Sequence, residues 1–241
     1  MTCQLYALCF DASRPRDLAA FWAGVLGRRL SDDPRDGVAV LPADEHGFRL
    51  GFFPGAEPKT VANNRIHFDL TSTSPENMRE TVDRALRLGG RHIDVGQLPE
   101  EGHVVLADPD GNEFCVIPPD NAFLAGCGFL GALACDGSQA VGYFWSAALQ
   151  WPLVWDQDEE TAIQSPHGGP KITWGGPPVA PQHGRNRLHF DLTPPPGGDQ
   201  RAEVDHLLSL GAKLLDPAPR EDGRITMLDP DDNEFCVLTP R

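Results

Sequence analysis

The sequence is poor in basic residues and contains no long hydrophobic run. Its 241 residues include 20 lysines and arginines against 35 aspartates and glutamates, which gives a net charge of −15 with the histidines neutral. Binding to nucleic acid or to an anionic membrane surface requires a basic patch, so the charge argues against both partners. No apolar stretch approaches the ~18 residues of a membrane-spanning helix. We therefore expect neither nucleic acid nor a membrane among the partners.

Paired cysteines are also missing. The six cysteines stand at positions 3, 9, 115, 127, 135 and 236, and none forms a Cys-x-x-Cys pair for zinc or redox chemistry. The first residues, MTCQLYALCFDASRPRD, have no basic segment ahead of an apolar core, so no secretory signal is predicted. The composition favours a cytoplasmic globular protein with reduced thiols.

Three motifs recur in the same order at nearly one spacing. The clearest is NRIHFDL, which returns as NRLHFDL, and the second is DPDGNEFCVIPP, which returns as DPDDNEFCVLTP. The paired segments are 64–70 with 186–192, 108–119 with 229–240, and the weaker pair 19–26 with 142–149. Their shared offset predicts two copies of a unit of ~120 residues. We call them repeat 1 and repeat 2 and predict boundaries at 1–119 and 124–241.

Each repeat contains a smaller duplication. A strand at 3–10 is followed by a helix at 14–27, whose apolar residues have helical spacing, and then by strand-like runs. The same order starts again at residue 65, with a helix at 75–88, and repeat 2 follows the same plan. The pattern predicts a β-α-β-β-β module four times along the chain, in an α+β fold.

The repeated motif NR(I/L)HFDL carries the candidate functional side chains. Successive residues of a strand point to opposite faces, so Ile66, Phe68 and Leu70 share one face that is expected to pack against the helices. The other face of the two strands carries six candidates: Arg65, His67, Asp69, Arg187, His189 and Asp191. These residues favour either a ligand-binding cup or a satisfied polar network that orders the sheet. The residues alone leave both interpretations open.

The paired modules, the strand motif and the DPDGNEFCVI segment together resemble the vicinal oxygen chelate superfamily. The resemblance is strongest to its glyoxalase-like branch, with relatives among glyoxalase I, extradiol dioxygenases and bleomycin-resistance proteins, and it covers nearly the whole chain once per repeat. It implies that the two modules of each repeat form a curved eight-stranded sheet around a cup. Metal-using members place His, Gln or Glu ligands on the first and last strands of each module.

These ligand positions can be carried over to the present sequence. They fall on Gln4, His67, Cys115, Phe129, His189 and Cys236. The remaining position lies at 51–53 in repeat 1 and at 174–175 in repeat 2, where no strong ligand stands. A catalytic divalent site normally needs about three protein ligands, and this set suits a hard cation poorly. Because the sequence departs from the ligand set of the metal-using members, we expect a cup with no catalytic metal and no cofactor.

Several functions follow as hypotheses. The residues favour the binding of a small organic molecule, as in relatives of the bleomycin-resistance type. The alternative is a metal-independent isomerase, lyase or cyclase, in which His67 with Asp69, or His189 with Asp191, transfers protons while Arg65 or Arg187 holds an anionic group. A metal-dependent lyase or dioxygenase is less favoured. The fourth hypothesis is a purely structural role, with side chains filling both cups. The expected state is a monomer with internal pseudosymmetry or a homodimer.

The tryptophans are distributed unevenly. Trp22 is the one tryptophan of repeat 1, whereas repeat 2 has four, at positions 145, 151, 155 and 174. Trp174 aligns with about Gly51, and we predict that it lines the second cup together with Trp151 or Trp155. The alternative is that these rings fill the cup or pad the interface between the repeats. Aromatic walls stack planar ligands, so this pattern predicts that repeat 2 carries the main organic-ligand site.

Overall fold

The computed structural model describes residues 3–33, 37–44, 46–55, 59, 63–180, 185–215 and 222–240. It contains four modules, each with one strand, one helix and three further strands. Module 1 comprises β1 (Gln4–Ala12), α1 (Pro15–Leu26), β2 (Leu30–Asp33), β3 (Gly37–Val40) and β4 (Arg49–Pro54). Module 2 comprises β5 (Ile66–Leu70), α2 (Pro75–Arg87), β6 (Arg91–His92), β7 (Val104–Ala107) and β8 (Glu113–Val116).

Repeat 2 follows the same order. Module 3 comprises β9 (Leu130–Cys135), α3 (Gln139–Leu149), β10 (Leu153–Gln157), β11 (Glu160–Gln164) and β12 (Lys171–Trp174). Module 4 comprises β13 (Leu188–Thr193), α4 (Gln200–Ser209), β14 (Lys213–Leu214), β15 (Ile225–Leu228) and β16 (Glu234–Val237). The four predicted β-α-β-β-β modules are therefore confirmed.

Each sheet combines one module of repeat 1 with one module of repeat 2. The 1/4 sheet has the strand order β14-β15-β16-β13-β1-β4-β3-β2, and the 2/3 sheet has the order β10-β11-β12-β9-β5-β8-β7-β6. The joints are the antiparallel pairs β1 with β13 and β5 with β9. A cup shared by two modules is thus built from both repeats.

The predicted fold class is confirmed, but the partnership of the modules differs from the expectation. The family resemblance implies that the two modules of one repeat share a sheet, whereas the structure pairs module 1 with module 4 and module 2 with module 3. The first strand of every module has the same alternation of apolar and polar residues and an edge that can pair with another strand. For this reason the local sequence does not determine which strand lies next to it. The boundaries at 1–119 and 124–241 stay a prediction.

The two modules of a repeat are joined through the hydrophobic core. Trp22 on α1 packs against Phe10 of the 1/4 sheet and against Phe68 and Phe114 of the 2/3 sheet, with ring centroids 6.1, 4.7 and 5.0 Å away. Its equivalent Trp145 contacts two phenylalanines in the same way. The apolar faces of the strands therefore point toward the helices, and the polar faces point away from them.

Each core tryptophan is anchored by the Asp-Pro-Asp turn of the repeated motif, which begins at Asp108 in repeat 1 and at Asp229 in repeat 2. Trp22 Nε1 donates to Asp108 Oδ2 at 3.1 Å, and Trp145 Nε1 donates to Asp229 Oδ2 at 3.1 Å. Asp108 also accepts from the backbone N–H groups of Asp110 and Asn112. These bonds fix the last strand of a module against the first helix of its repeat.

Candidate functional site

The polar face of the 1/4 sheet holds a buried cluster around His189. Strand β13 places His189 and Asp191 on one face, and the register sets Cys9 of β1 opposite His189. His189 Nε2 lies 3.6 Å from Asp191 Oδ1, and Arg224, which precedes β15, places Nη2 3.2 Å from Asp191 Oδ2. His189 is 5% exposed and Asp191 1% exposed. We call this cluster, with Cys236 of β16, the closed site.

Phe53 and Arg224 close this site. A Cβ atom at Gly51 would stand 3.0 Å from Phe53 Cε2 and 3.3 Å from Cys9 Sγ, so the ring lies directly on the glycine and next to the thiol. The Arg224 guanidinium lies 4.4 Å from the centroid of the same ring. The stacked pair covers the polar face because glycine at position 51 leaves room for it.

The electrostatics of the closed site are those of a compensated ion network. Burial opposes charging of His189, but Asp191, Cys236 and Cys9 outweigh it and raise the pKa of His189 well above its ordinary value. Burial likewise opposes ionisation of Asp191, yet His189 and Arg224 hold its pKa below the ordinary value. Burial, reinforced by Asp191, raises the pKa of the Cys9 thiol to about 12. The opposite charges fit the structural interpretation of the motif, although His189 Nε2 and Asp191 Oδ1 are buried without a hydrogen bond.

The equivalent cluster on the 2/3 sheet reaches solvent. His67 Nε2 lies 3.5 Å from Asp69 Oδ1, and the His67 side chain is 36% exposed. Strand β8 adds Cys115, which is 9% exposed and lies beside the imidazole. Burial opposes charging of His67, but the contacts with Asp69 and Cys115 outweigh it and raise the pKa of His67. We call His67, Asp69 and Cys115 the open site.

The residues that close one site are replaced in the other. The register pairs Cys9 with His189 and with Gly51, and it pairs Ala134 with His67 and with Thr173. Gly51 is therefore equivalent to Thr173. Phe53 follows Gly51 by two residues, so its equivalent is Gly175. The position of Arg224, one residue before β15, corresponds to His103, one residue before β7. The open site consequently lacks both the covering ring and the arginine.

A row of small side chains leads away from His67 across the open face. Pairing runs from His67 to Ala134, Thr173, Ala162 and finally Trp155 on the edge strand β10. Four strand intervals of about 4.8 Å separate the two ends by roughly 19 Å. The half-buried Trp155 thus lies at the far end of a row of small residues, of which Ala134 and Thr173 are partly exposed and Ala162 is fully buried.

The segment between the repeats covers part of this face. The Phe123 ring packs edge-on against Trp155, with centroids 5.7 Å apart. Lys171 of β12 donates from Nζ to the Phe123 carbonyl oxygen, and its ammonium lies over the Phe123 ring. Phe123 therefore covers the Trp155 end of the row, while the His67 end remains accessible.

The two arginines of the predicted polar row, Arg65 and Arg187, form contacts outside the open and closed sites. Arg187 donates from Nε to Asn112 Oδ1 at 3.1 Å and lies 3.8 Å from the Asp110 carboxylate. Arg65 Nε lies 3.9 Å from Asp136 Oδ2. Both precede their strands by one residue, so they contact turns of the neighbouring modules rather than the histidines. Their predicted role of holding a substrate anion is therefore not supported by these contacts.

Three further predicted site residues lie away from the clusters. Gln4 is exposed at the start of β1, and Phe129 packs beside β9, where Arg84 lies 5.4 Å from its ring centroid. Trp174 is 1% exposed within the core, so the prediction that it lines a cup is wrong. It corresponds to Phe52 rather than to Gly51, and a register error of one residue places a side chain on the opposite face.

Sequence reasoning missed Cys9, Phe53 and Arg224. The alternation of β1 contained a signal for Cys9, because Leu8 and Phe10 flank it on the core face. The sequence around Phe53 and Arg224 gives no sign of their role, because both are far from His189 in sequence and approach it only through sheet pairing.

The donor sets fit the metal centre implied by the family poorly. In the closed site the potential ligand atoms of Cys9, His189 and Asp191 lie within 4.8 Å of one another. The Asp191 carboxylate, however, is ion-paired with the Arg224 guanidinium. On the open face, the first and last strands of module 3 offer Ala134 and Thr173, which are weak or incapable ligands. Among the described residues of that face, His67, Asp69 and Cys115 remain as a three-donor set whose chemistry suits a borderline ion such as Zn²⁺ rather than a hard cation.

The difference between the two sites predicts unequal thiol reactivity. Cys115 and Cys236 are equivalent, but Cys115 is 9% and Cys236 1% exposed. In the native protein, iodoacetamide is expected to alkylate Cys115 ~10-fold faster, because access limits the reaction of buried thiols. Peptide mass spectrometry over a time course measures both rates in one sample. Equal rates would show that the closed site opens as readily as the open one.

The sequence match to a known family agrees with this architecture. A profile described as the glyoxalase-like domain matches residues 7–117 and 132–238, one match in each repeat. The chain belongs to this family. The assignment agrees with the predicted resemblance to the vicinal oxygen chelate superfamily. A search of curated proteins found no significant match to this glyoxalase-like chain.

Solved structures share the same fold over almost the whole length. Glyoxalase I from Zea mays is 13% identical, with a TM-score of 0.67 over 99% of this chain and 92% of that one. A putative dioxygenase from Bacillus subtilis subsp. subtilis str. 168 is 16% identical, with a TM-score of 0.64 over 99% of this chain and 85% of that one. At these identities the likeness concerns the fold. No helix within the described ranges has the length and apolar character to cross a bilayer.

Proposed function

We propose that this glyoxalase-like protein binds a small organic molecule on the polar face of the 2/3 sheet, beside His67. The observation that carries the proposal is the contrast between two equivalent clusters. Phe53 and Arg224 cover His189, whereas Gly175 and His103 occupy their positions near His67 and leave its side chain 36% exposed. A polar cluster that only ordered the sheet would gain nothing from being open.

The side chains around His67 suggest the chemistry of the ligand. His67, with its raised pKa, supplies a hydrogen-bond donor or a cation for an acidic or carbonyl group. Ala134 and Thr173 are small, partly exposed side chains beside His67, and Trp155 is an aromatic ring further along the same row. Ligand pockets typically combine such an apolar surface with a few polar groups. We therefore propose a planar molecule with one acidic or carbonyl end.

The test is a binding screen with matched histidine variants. A panel of aromatic carboxylic acids and their uncharged amides is titrated while the imidazole and indole resonances are followed by NMR. We expect the acids to shift the His67 resonances, and the Trp155 resonances only when the molecule is long enough to reach that ring. His67→Ala should weaken binding about tenfold, which corresponds to ~1.4 kcal/mol. The control is His92→Ala, an exposed histidine on β6. Equal affinities of the two variants would reject the site.

A second candidate is metal-independent acid–base catalysis at the same residues. It is favoured by the 3.5 Å separation of His67 Nε2 and Asp69 Oδ1, because a carboxylate can orient an imidazole for proton transfer. Asp69→Asn would then slow turnover much more than it weakens binding. Elemental analysis of the purified protein checks the metal-free premise, and stoichiometric zinc lost in Cys115→Ser would contradict it.

A further inference from the structure

A cavity lies where module 1 meets module 3, apart from both polar clusters. Its volume is about 420 Å³, within the size range of small-molecule sites. The walls come from equivalent elements of the two repeats, namely the residues after α1 and α3, the β3–β4 loop and the β11–β12 loop. The segment 127–130 before and at the start of β9 completes the lining.

One wall carries an arginine whose charge is incompletely compensated. Arg28 is half-buried, and burial lowers the pKa of its guanidinium, an effect that Asp44 only partly offsets. Asp44 itself accepts from the His46 backbone N–H at 3.0 Å. Within the described parts of the chain, the Arg28 side chain has no hydrogen bond or ion pair. An anion in the cavity would supply the missing partner.

The other repeat contributes an aromatic ring at the same position. Helix α1 is followed by the C-cap residue Gly27 and helix α3 by the C-cap residue Gln150, and both caps are in the left-handed conformation. The next residues are therefore equivalent, and they are Arg28 and Trp151. Both line the cavity, together with Phe48. A guanidinium and an indole thus take equivalent places in one pseudosymmetric cavity.

Two histidines meet at the rim of this cavity. His46 of the β3–β4 loop and His167 of the β11–β12 loop stack with ring centroids 4.1 Å apart and planes 6° from parallel. Both imidazoles are exposed, and they come from different repeats. They add aromatic surface and hydrogen-bonding nitrogens where a ligand would enter.

We propose that this cavity binds a planar aromatic anion, with its acidic group at Arg28 and its rings against Trp151 and Phe48. The chain carries a net charge of −15, so an anion is repelled at long range and requires a local cation to bind. A guanidinium pairs well with carboxylate and sulfonate groups, and indole and phenyl rings stack on flat apolar bodies. This site is independent of the one proposed at His67.

The test uses 1-anilinonaphthalene-8-sulfonate, a fluorescent aromatic anion, and N-phenyl-1-naphthylamine, which has the same rings without the sulfonate. Fluorescence titration is expected to give saturable binding of the anion at one site. Arg28→Gln should raise its Kd about tenfold, the size of one charge-assisted hydrogen bond, and Arg28→Lys should raise it less. The neutral probe should bind more weakly and be insensitive to both changes.

The control is Arg79→Gln, which removes an exposed arginine on α2 and so tests for a general effect of charge. Circular dichroism melts show that each variant is folded. Equal effects of Arg28→Gln and Arg79→Gln would overturn the inference. A loss of anion binding in His67→Ala as large as that in Arg28→Gln would move the ligand to the open site and would also overturn it.

Discussion

Replacing Asp191 with alanine is expected to lower the free energy of unfolding by about 3–5 kcal/mol, the usual cost of removing one partner of a buried ion pair. The loss arises because the Arg224 guanidinium, held under Phe53, would remain buried without its carboxylate. His189 would lose the group that keeps its imidazole charged. Urea unfolding followed by circular dichroism at pH 7 measures the change.

The matched control is Asp69→Ala on the open face. It removes the same carboxylate from the same motif, but the His67–Asp69 pair is partly exposed, so the expected loss is below about 1 kcal/mol. Asp191→Asn should fall between the two because it keeps the shape of the side chain. Equal losses for Asp69→Ala and Asp191→Ala would refute the division into a closed and an open site.

The second large effect should come from closing the open site by design. The closed site requires a ring, an arginine and a glycine, which correspond to Gly175, His103 and Thr173. The triple variant H103R/T173G/G175F transfers all three. A Cβ atom at Gly175 would meet nothing within 4 Å, so the position has room for the new side chain. The arginine introduced at position 103 is expected to pair with Asp69.

In this triple variant, alkylation of Cys115 should slow to the rate of Cys236, and binding of aromatic acids beside His67 should be lost. The single variant T173G leaves the site open and serves as the control for the glycine, which costs ~0.5–1 kcal/mol in a strand. Iodoacetamide labelling and the NMR titration measure both effects. Unchanged Cys115 labelling in a folded triple variant would show that Phe53 and Arg224 are not what closes the other site.

The sequence predicted the residues of the candidate site. It did not predict that the His189 cluster is buried while the His67 cluster is accessible. The motif NR(I/L)HFDL identified His67, Asp69, His189 and Asp191, and strand alternation placed them on one polar face. Identical motifs gave no reason to expect one buried and one accessible cluster. The difference depends on Phe53 and Arg224, which are distant from His189 in sequence and reach it through sheet pairing.

The errors in detail also have a common cause. Trp174 was aligned with Gly51 instead of Phe52, and the first-strand position was placed at Gln4 instead of Cys9. In a strand, an odd shift in register exchanges the two faces, so a small alignment error turns a core residue into a predicted ligand contact. The alternation of Ile172 and Trp174 against Lys171 and Thr173 contained the correct assignment.

The sequence by itself determined the duplication, the four β-α-β-β-β modules, the glyoxalase-like family and the polar face of the His-x-Asp strands. These depend on periodicity and turn residues, which act over a few positions. Only the tertiary structure decided that module 1 pairs with module 4 and module 2 with module 3, and hence which side chains meet. The reason is physical: four first strands with equivalent edges can pair in more than one way. In the folded chain Trp22 and Trp145 pack the two modules of one repeat against each other across the core, so those two modules lie in different sheets.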